Sequence, residues 1–361
     1  MGKGKTRFAY EPDYAVPPGV TLQETIAALG MDQHDLATRM GMSEKTISQI
    51  VNGAAPVTYE TANKLELVTG VPARLWNNLE MNYRQRQAEL ESARRLEQDW
   101  KWLDRIPTEE LVARGKIDAH KDKGDMLRAV LRFFGVSSVM AWQALWLKPA
   151  TAFRRSRCFE MRPEAMATWL RLGELEAQKI ACKPYSKATF RAALDEIRKM
   201  TMEQPQVFQP KMVKLCADAG VAIVFVPEMK GCPANGAARW LTPWKAIIQL
   251  SLRHKSDDHL WFSFFHEAGH ILDDPKKEIY IDDGSKEDDE REKQADTFAR
   301  NLLIPPSRAG ELPDLKTSSA VRRFSQSIGI APGIVVGRLQ HDRVIAFSHL
   351  NELKKRFEWG E

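Results

Sequence analysis

From Thr21 onward the apolar positions fall into four short runs of helical period. Each is opened by a small polar residue able to cap a helix: Thr21 ahead of a run to Leu29, Asp32 ahead of one to Met40, Ser43 ahead of one to Asn52, and Thr58 ahead of one to Val68. Gly41 marks a tight turn between the second and third. Leu36, Ala37 and Met40, followed by Met42, Ile47 and Ile50, are spaced so that two short helices cross over one core, which predicts a helix-turn-helix. That geometry leaves Ser43, Lys45, Thr46, Ser48, Gln49 and Asn52, with Glu44 among them, on or beside the outward face of the third helix. Gln and Asn can make paired hydrogen bonds to adenine, and Ser, Thr and Lys can reach phosphates or base edges, so these six are the candidate DNA-binding residues.

Further along, residues 84–104 are rich in Arg, Gln and Glu, the pattern of a solvated helix acting as a semi-rigid spacer. Beyond Pro107 the stretches Met126–Phe134, Pro163–Ile180 and Thr189–Met200 have amphipathic helical period. The β-branched runs VAIVFV (221–226) and AIIQLS (246–251) predict strands of a small sheet. Residues 324–342 read as helix, glycine turn, helix. This pair could serve as a second DNA-binding element or a lid over a cleft, and packing against the helix that carries His266 and His270 is the simpler expectation.

The chemistry concentrates in WFSFFHEAGHIL, an apolar-periodic helix expected from about Asp258 to Leu272. His266 and His270 stand four residues apart, one turn on one face, where each can offer a ring nitrogen to a single ion. Glu267 beside them can take a proton from a water activated by that ion, which is the zinc-hydrolase arrangement. A second helix, from about Asp289 to Leu303, supplies the third ligand from EREKQADTFARNLLIP. Glu292 and Asp296 lie one turn apart, so Glu292 can reach the ion while Asp296 orients an imidazole; Glu290 and Asp296 itself are competing ligands. Two imidazoles and a carboxylate amid Phe264, Phe265 and Ile271 would otherwise need costly buried partners. For the oxyanion, Arg253, His254 and Tyr280 are candidates by sequence proximity alone.

Two resemblances follow from these residues. MDQHDLATRMGMSEKTISQIVNG and VTYETANKLELVTGV resemble an XRE (Cro-like repressor) domain, and VPARLWNNLEMNY is similar to the ending of HigA-type antitoxins, over roughly Val20 to Tyr83. The stretch from Val221 to Pro305, with GVAIVFVPE, GAARWL, IIQLSLRHKSDDHLWFSFFHEAGHIL and EKQADTFARNLLIP, resembles the ImmA/IrrE metallo-endopeptidases. The second resemblance implies a compact, gluzincin-like zincin fold with Zn2+ on His266, His270 and Glu292 and with Glu267 as general base. It also implies the cutting of repressor-type proteins in stress responses or mobile elements.

Composition adds limits. With 361 residues, 43% apolar and 28% charged, the chain has room for two or three folded domains and is neither disordered nor fibrous. No run approaches the roughly 18–20 uninterrupted apolar residues of a membrane span, and the start lacks a signal-peptide core, so a cytoplasmic protein without membrane contact is expected. Gly4-Lys5-Thr6 imitates a phosphate loop without its upstream glycine, and Met1-Gly2 with Thr6 fits a myristoylation pattern; chance explains both. Cys158, Cys182, Cys216 and Cys232 form no CxxC pair and are expected as reduced core residues. Residues 101–200 carry 20 Lys/Arg against 12 Asp/Glu, whereas residues 1–100 carry 11 against 13. The helix-turn-helix is therefore not basic, and a homodimer, or help from the basic middle with its Arg154, Arg155 and Arg157, would supply the charge that DNA requires.

The expected architecture is α+β and predominantly helical: an N-terminal arm (1–19), an all-α helix-turn-helix domain (20–83), a helical middle (84–205), a zincin-like domain with a small β-sheet (206–312) and a helical extension (313–361). The expected function is a regulator binding double-stranded operator DNA that carries a zinc-dependent endopeptidase acting on a repressor or a toxin-antitoxin component. The alternatives are a regulator whose metalloprotease-like domain is a non-catalytic sensor or partner-binding module, and a protein-interaction module needing neither DNA nor metal.

Overall fold

The computed structural model describes residues 13–147, 162–273 and 290–359, together with the backbone path of 279–282. The phosphate-loop and myristoylation matches, Cys158, the Arg154–Arg155–Arg157 cluster and the side chain of Tyr280 lie outside the described residues. The chain is α+β and predominantly helical. It falls into two compact units, Met1–Lys101 with Asp122–Leu127, and Trp102–Lys121 with Arg128–Glu361.

The first unit holds α1 (Pro18–Ala28), α2 (Gln33–Met40), α3 (Glu44–Val51), α4 (Tyr59–Thr69) and α5 (Ala73–Gln98). Three of the four expected caps are in place. The side chains of Asp32, Ser43 and Thr58 each accept a hydrogen bond from the backbone N–H three residues on, at 2.8, 3.1 and 3.1 Å, satisfying donors that a helix start leaves unpaired. Thr21 is the exception. Pro18 opens α1, because proline's fixed φ and missing N–H suit the first helical turn, so Thr21 lies inside the helix. Gly41 closes α2 at φ 63°, a left-handed conformation that glycine adopts without Cβ strain, and so sets the turn into α3. Leu22, Ile26, Leu36, Met40, Ile47, Ile50, Leu65 and Trp76 close one core. Buried Glu80 on α5 accepts from the Val57 N–H at 3.1 Å and pairs with Arg84 at 2.6 Å, tying the segment before α4 to α5. Residue 84 lies within α5, so the change of composition there falls inside one continuous helix.

The helical run from Lys123 to Leu147 is long and apolar enough, by length and composition, to cross a membrane. Gly135 at φ 69° and the Ser138 cap interrupt it, however. Beyond the break Trp142 is fully buried, edge-on to Phe134 at 5.6 Å between ring centroids, as in a protein core.

The rest of the second unit is built around a sheet. Helices α6 (Pro163–Gln178), α7 (Lys187–Lys199) and α8 (Pro205–Asp218) precede strand β1 (Val221–Phe225). The hairpin of β2 (Gly236–Thr242) and β3 (Lys245–Leu250) comes next, followed by α9 (Asp257–Asp273), β4 (Ile279–Asp282), α10 (Glu290–Leu303), α11 (Ser318–Ile328) and α12 (Pro332–His341). The strand order is β1-β3-β2-β4, with β1 parallel to β3 and β2 antiparallel to both β3 and β4. Strand residues alternate faces with a period of two. Val221, Ile223, Ala238, Ile248 and Leu250 enter the core shared with Phe264 and Phe265 of α9. On the opposite face, Gln249 donates to the Trp169 carbonyl of α6 at 2.7 Å and Arg239 to that of Leu170 at 2.9 Å. Helices thus cover both faces, which accounts for strands that are apolar on both sides.

The terminal pair α11 and α12 is the expected helix, glycine turn, helix, with Gly329 at φ 69° between them. It packs against the start of α9, where a Cβ on Gly333 would stand 2.2 Å from Asp257 Oδ1. Cys182, Cys216 and Cys232 are unpaired thiols, and burial pushes that of Cys232 up to about 12.

Candidate metal centre and helix-turn-helix face

Helix α9 is buried without a break from Ser263 to Leu272, so its polar residues His266, Glu267 and His270 sit deep in the unit. The second half of the site comes from α10, which meets α9 through small side chains. Ala295, Ala299 and Leu303 are its buried positions, and a Cβ on Gly269 would stand 3.1 Å from Ala295 Cα. Glycine at 269 and alanine at 295 allow the two backbones this approach, which carries Glu292 and Asp296, flanking Ala295, to the histidines.

The donor atoms converge. His266 Nε2 and His270 Nε2 are 3.1 Å apart, and the two Glu292 oxygens stand 3.1 Å from His266 Nε2 and 3.2 Å from His270 Nε2. One ligand atom from each of the three residues can be chosen so that all lie within 4.8 Å of one another. Two ligands bonded at about 2.0–2.1 Å to a tetrahedral ion are about 3.3 Å apart. The triangle thus has the size of one ion's coordination shell, and two imidazoles with one carboxylate form a donor set that suits zinc. Burial raises the Glu292 carboxyl, but hydrogen bonds and charge from His266 and His270 more than reverse this and hold it at about 2.

Around this triangle the other expected residues take distinct places. Asp296 Oδ1 lies 3.0 Å from His266 Nδ1 and its Oδ2 accepts from Arg300 Nη2 at 3.1 Å. With Nδ1–H donating to Asp296, the Nε2 lone pair of His266 faces His270 and Glu292. Burial raises the Asp296 carboxyl, and the hydrogen bond and charge of His266 with the charge of Arg300 bring it below the usual range. Glu290 is exposed at the first residue of α10 and takes no part in the cluster. Glu267 is fully buried and turned toward the sheet, where a Cβ on Gly236 would stand 2.7 Å from its Oε1. Of the oxyanion candidates, Arg253 donates to the Pro233 carbonyl at 2.6 Å and His254 stacks on His259 with centroids 4.0 Å apart. His259 is seven residues before His266, about 10 Å along the helix, so His254 is placed well away from the ligand triangle. Gly236 and Gly269 carry no local sequence signal of their roles, and Arg300 carries one weak signal, the i+4 step from Asp296.

On the helix-turn-helix face, Ser43 is occupied as the α3 cap and its hydroxyl meets Thr46 Oγ1 at 2.8 Å. Asn52 donates back to the Ser48 carbonyl at 2.8 Å. Lys45 and Gln49 are exposed, Thr46 and Ser48 are half-buried, and Glu44 pairs with His34. The face therefore offers Lys45 and Gln49 outward, with the other four candidates also serving the helix itself.

Residues 22–76 match the helix-turn-helix family, and residues 222–331 match the IrrE N-terminal-like domain family. The uncharacterized HTH-type transcriptional regulator YddM of Escherichia coli (strain K12) is 33% identical over 63 residues, which are 18% of this chain and 67% of that protein. A solved addiction module antidote protein of the HigA family from Coxiella burnetii is 28% identical, covering 24% of this chain and 94% of that one with a TM-score of 0.22.

Proposed function

We propose, for a chain that belongs to the helix-turn-helix regulators through its N-terminal domain and carries an IrrE N-terminal-like, metallopeptidase-type domain, that it binds operator DNA and cleaves a repressor or antitoxin-type protein with zinc. The single observation that carries the hydrolase reading is the meeting of His266, His270 and Glu292 within one coordination shell, with the buried Glu267 next in sequence. A zinc ion held there supplies acidification of a water and polarisation of a peptide carbonyl. Glu267 takes the proton of the attacking water and returns it to the departing amine. Asp296, itself fixed by Arg300, keeps His266 in the tautomer that offers Nε2 to the ion.

The direct test is to incubate the zinc-loaded full chain with the repressor-, toxin- and antitoxin-type proteins encoded beside it and to read cleavage by mass spectrometry. Full zinc content without any cleavage would leave the second reading, a regulator whose peptidase-type domain serves as a sensor.

Gly236 sharpens the assignment. Gly236→Ala is expected to displace the Glu267 carboxylate, because the new methyl would meet Oε1 at 2.7 Å and Cγ at 2.9 Å. Cleavage should fall at least tenfold, to order of magnitude, with zinc content unchanged, since the three atoms nearest that methyl all belong to Glu267. An unchanged turnover would detach Glu267 from the chemistry.

For the N-terminal face, Gln49→Ala is expected to weaken operator binding by about 1–3 kcal/mol and to leave non-specific DNA binding nearly as it was. Gel-shift titrations at two salt concentrations separate the two effects, because the phosphate-driven part falls with salt for both DNAs.

A further inference from the structure

The face of α9 that leads to Glu267 continues into a second polar recess. Asn235 and Ser263 line its inner end, and Arg253, His254, Lys255 and His259 its outer end. Ser263 is one helical turn before Glu267, and Asn235 directly precedes Gly236, the glycine that faces the Glu267 carboxylate. The four outer side chains are all exposed.

Charge is segregated around this opening. Asp257 is buried against Gly333 of α12 and accepts from the Asp258 and Lys355 backbone N–H groups at 3.0 and 3.1 Å. Asp258 pairs with Lys354 at 2.6 Å and accepts from the Ser256 hydroxyl at 2.6 Å. Both acids of the segment are thus engaged by α12, the C-terminal segment at Lys354–Lys355 and their own loop, while the cationic and imidazole groups line the opening. One acid, Glu228, lines the neighbouring recess on the other side of Arg253. Arg253 gives one N–H to the Pro233 carbonyl, which orients a group with five donors. Lys255 is held at φ 51°, a left-handed conformation uncommon for a side chain of its size. Hydrogen bonds from its N–H to the Leu252 carbonyl and from the Phe357 N–H to its own carbonyl keep it there.

We infer that the exposed rim of this recess, whose interior of about 10 Å³ has room for only about one water, meets acidic side chains of the protein substrate at the surface through Arg253 and Lys255. The inference rests on the peptidase reading above and names the class of segment that site selects. His259 lies two turns of α9 from His266, about 10 Å, which an extended peptide spans in about three residues. The preferred substrate therefore carries Asp or Glu about three residues from the bond that is cut.

The test uses the zinc-loaded full chain bearing Glu267→Gln, so that nothing is turned over, and two fluorescein-labelled decapeptides that differ only in four Asp/Glu replaced by Asn/Gln. Fluorescence anisotropy should give about tenfold tighter binding of the acidic peptide at low salt, with the advantage shrinking as salt rises. Arg253→Gln with Lys255→Asn, the latter chosen because Asn tolerates positive φ, should bring that ratio below about threefold, whereas Arg253→Lys keeps it. Zinc content checks that the variants are folded. Equal binding of the two peptides would overturn the inference. So would charge-dependent binding untouched by the double variant, or a double variant that weakens a 20-base-pair duplex and leaves the peptide ratio intact. Cleavage by the wild-type chain is read separately: selective binding through Arg253 and Lys255 without cleavage upholds the recess and sinks the peptidase, and cleavage blind to charge does the reverse.

Discussion

Glu267→Gln is expected to slow cleavage of the cognate protein by about 10²–10⁴-fold, the range a positioned general base contributes, while zinc content and operator binding stay at wild-type levels. The amide matches the carboxylate in size, so the contact with Gly236 and the burial at that position survive. What is lost is proton affinity, because an amide oxygen cannot hold the water's proton at neutral pH. Initial rates measured by mass spectrometry beside elemental analysis of both proteins separate chemistry from metal loading. A Gln variant with the wild-type rate and full zinc would show that another group accepts the proton.

The second large effect concerns the metal. His270→Ala removes one of three donors from a buried triangle and should lower zinc affinity by more than about 100-fold, with cleavage falling below detection. At a zinc concentration far above both dissociation constants, a hundredfold loss of affinity lowers the zinc-induced stabilisation by about 2.7 kcal/mol, visible as a smaller zinc-induced rise in Tm. The metal-free proteins give an independent readout. Glu292 is held at about 2, below its ordinary 4.5, so its ionisation supports the fold at pH values above 4.5, and that support is lost as pH falls toward 2. Part of the lowering comes from His270, so metal-free His270→Ala should lose less stability over that interval than the metal-free wild type. Equal zinc content in wild type and variant would exclude His270 as a ligand.

Sequence and structure agree most closely where the signal is local. Asp32, Ser43 and Thr58 cap their helices in the predicted places because capping needs only a short polar side chain and the three residues after it. The imidazoles of His266 and His270 meet because four residues make one turn, and Glu292 and Asp296 share a face for the same reason. The departures have tertiary causes. Strand β2 went unread because Gly-Ala-Ala-Arg has no β-branched alternation. Its Arg239 is buried only because Glu174 and the Leu170 carbonyl on α6 receive its guanidinium, and its Gly236 is required by a carboxylate thirty-one residues later in the chain. Strand β4 lies in an acid-rich stretch and is defined by its register with β2, Gly236 opposite Asp282. The spacer expected from residue 84 is the second half of α5, since Arg, Gln and Glu are good helix formers and extend the closing helix of the first unit without interruption.

The missing methyls at Gly236, Gly269 and Gly333 let three separate elements press on α9 from different sides. These contacts set where the helix stands, whereas Glu267 sets what happens beside it. A descendant of this chain that kept the three glycines, His266, His270 and Glu292 but had lost Glu267 would still build the same cradle and still load an ion. Such a chain would be recognised, from one line of sequence, as keeping the frame of the histidine–glutamate cluster without the residue proposed as its base.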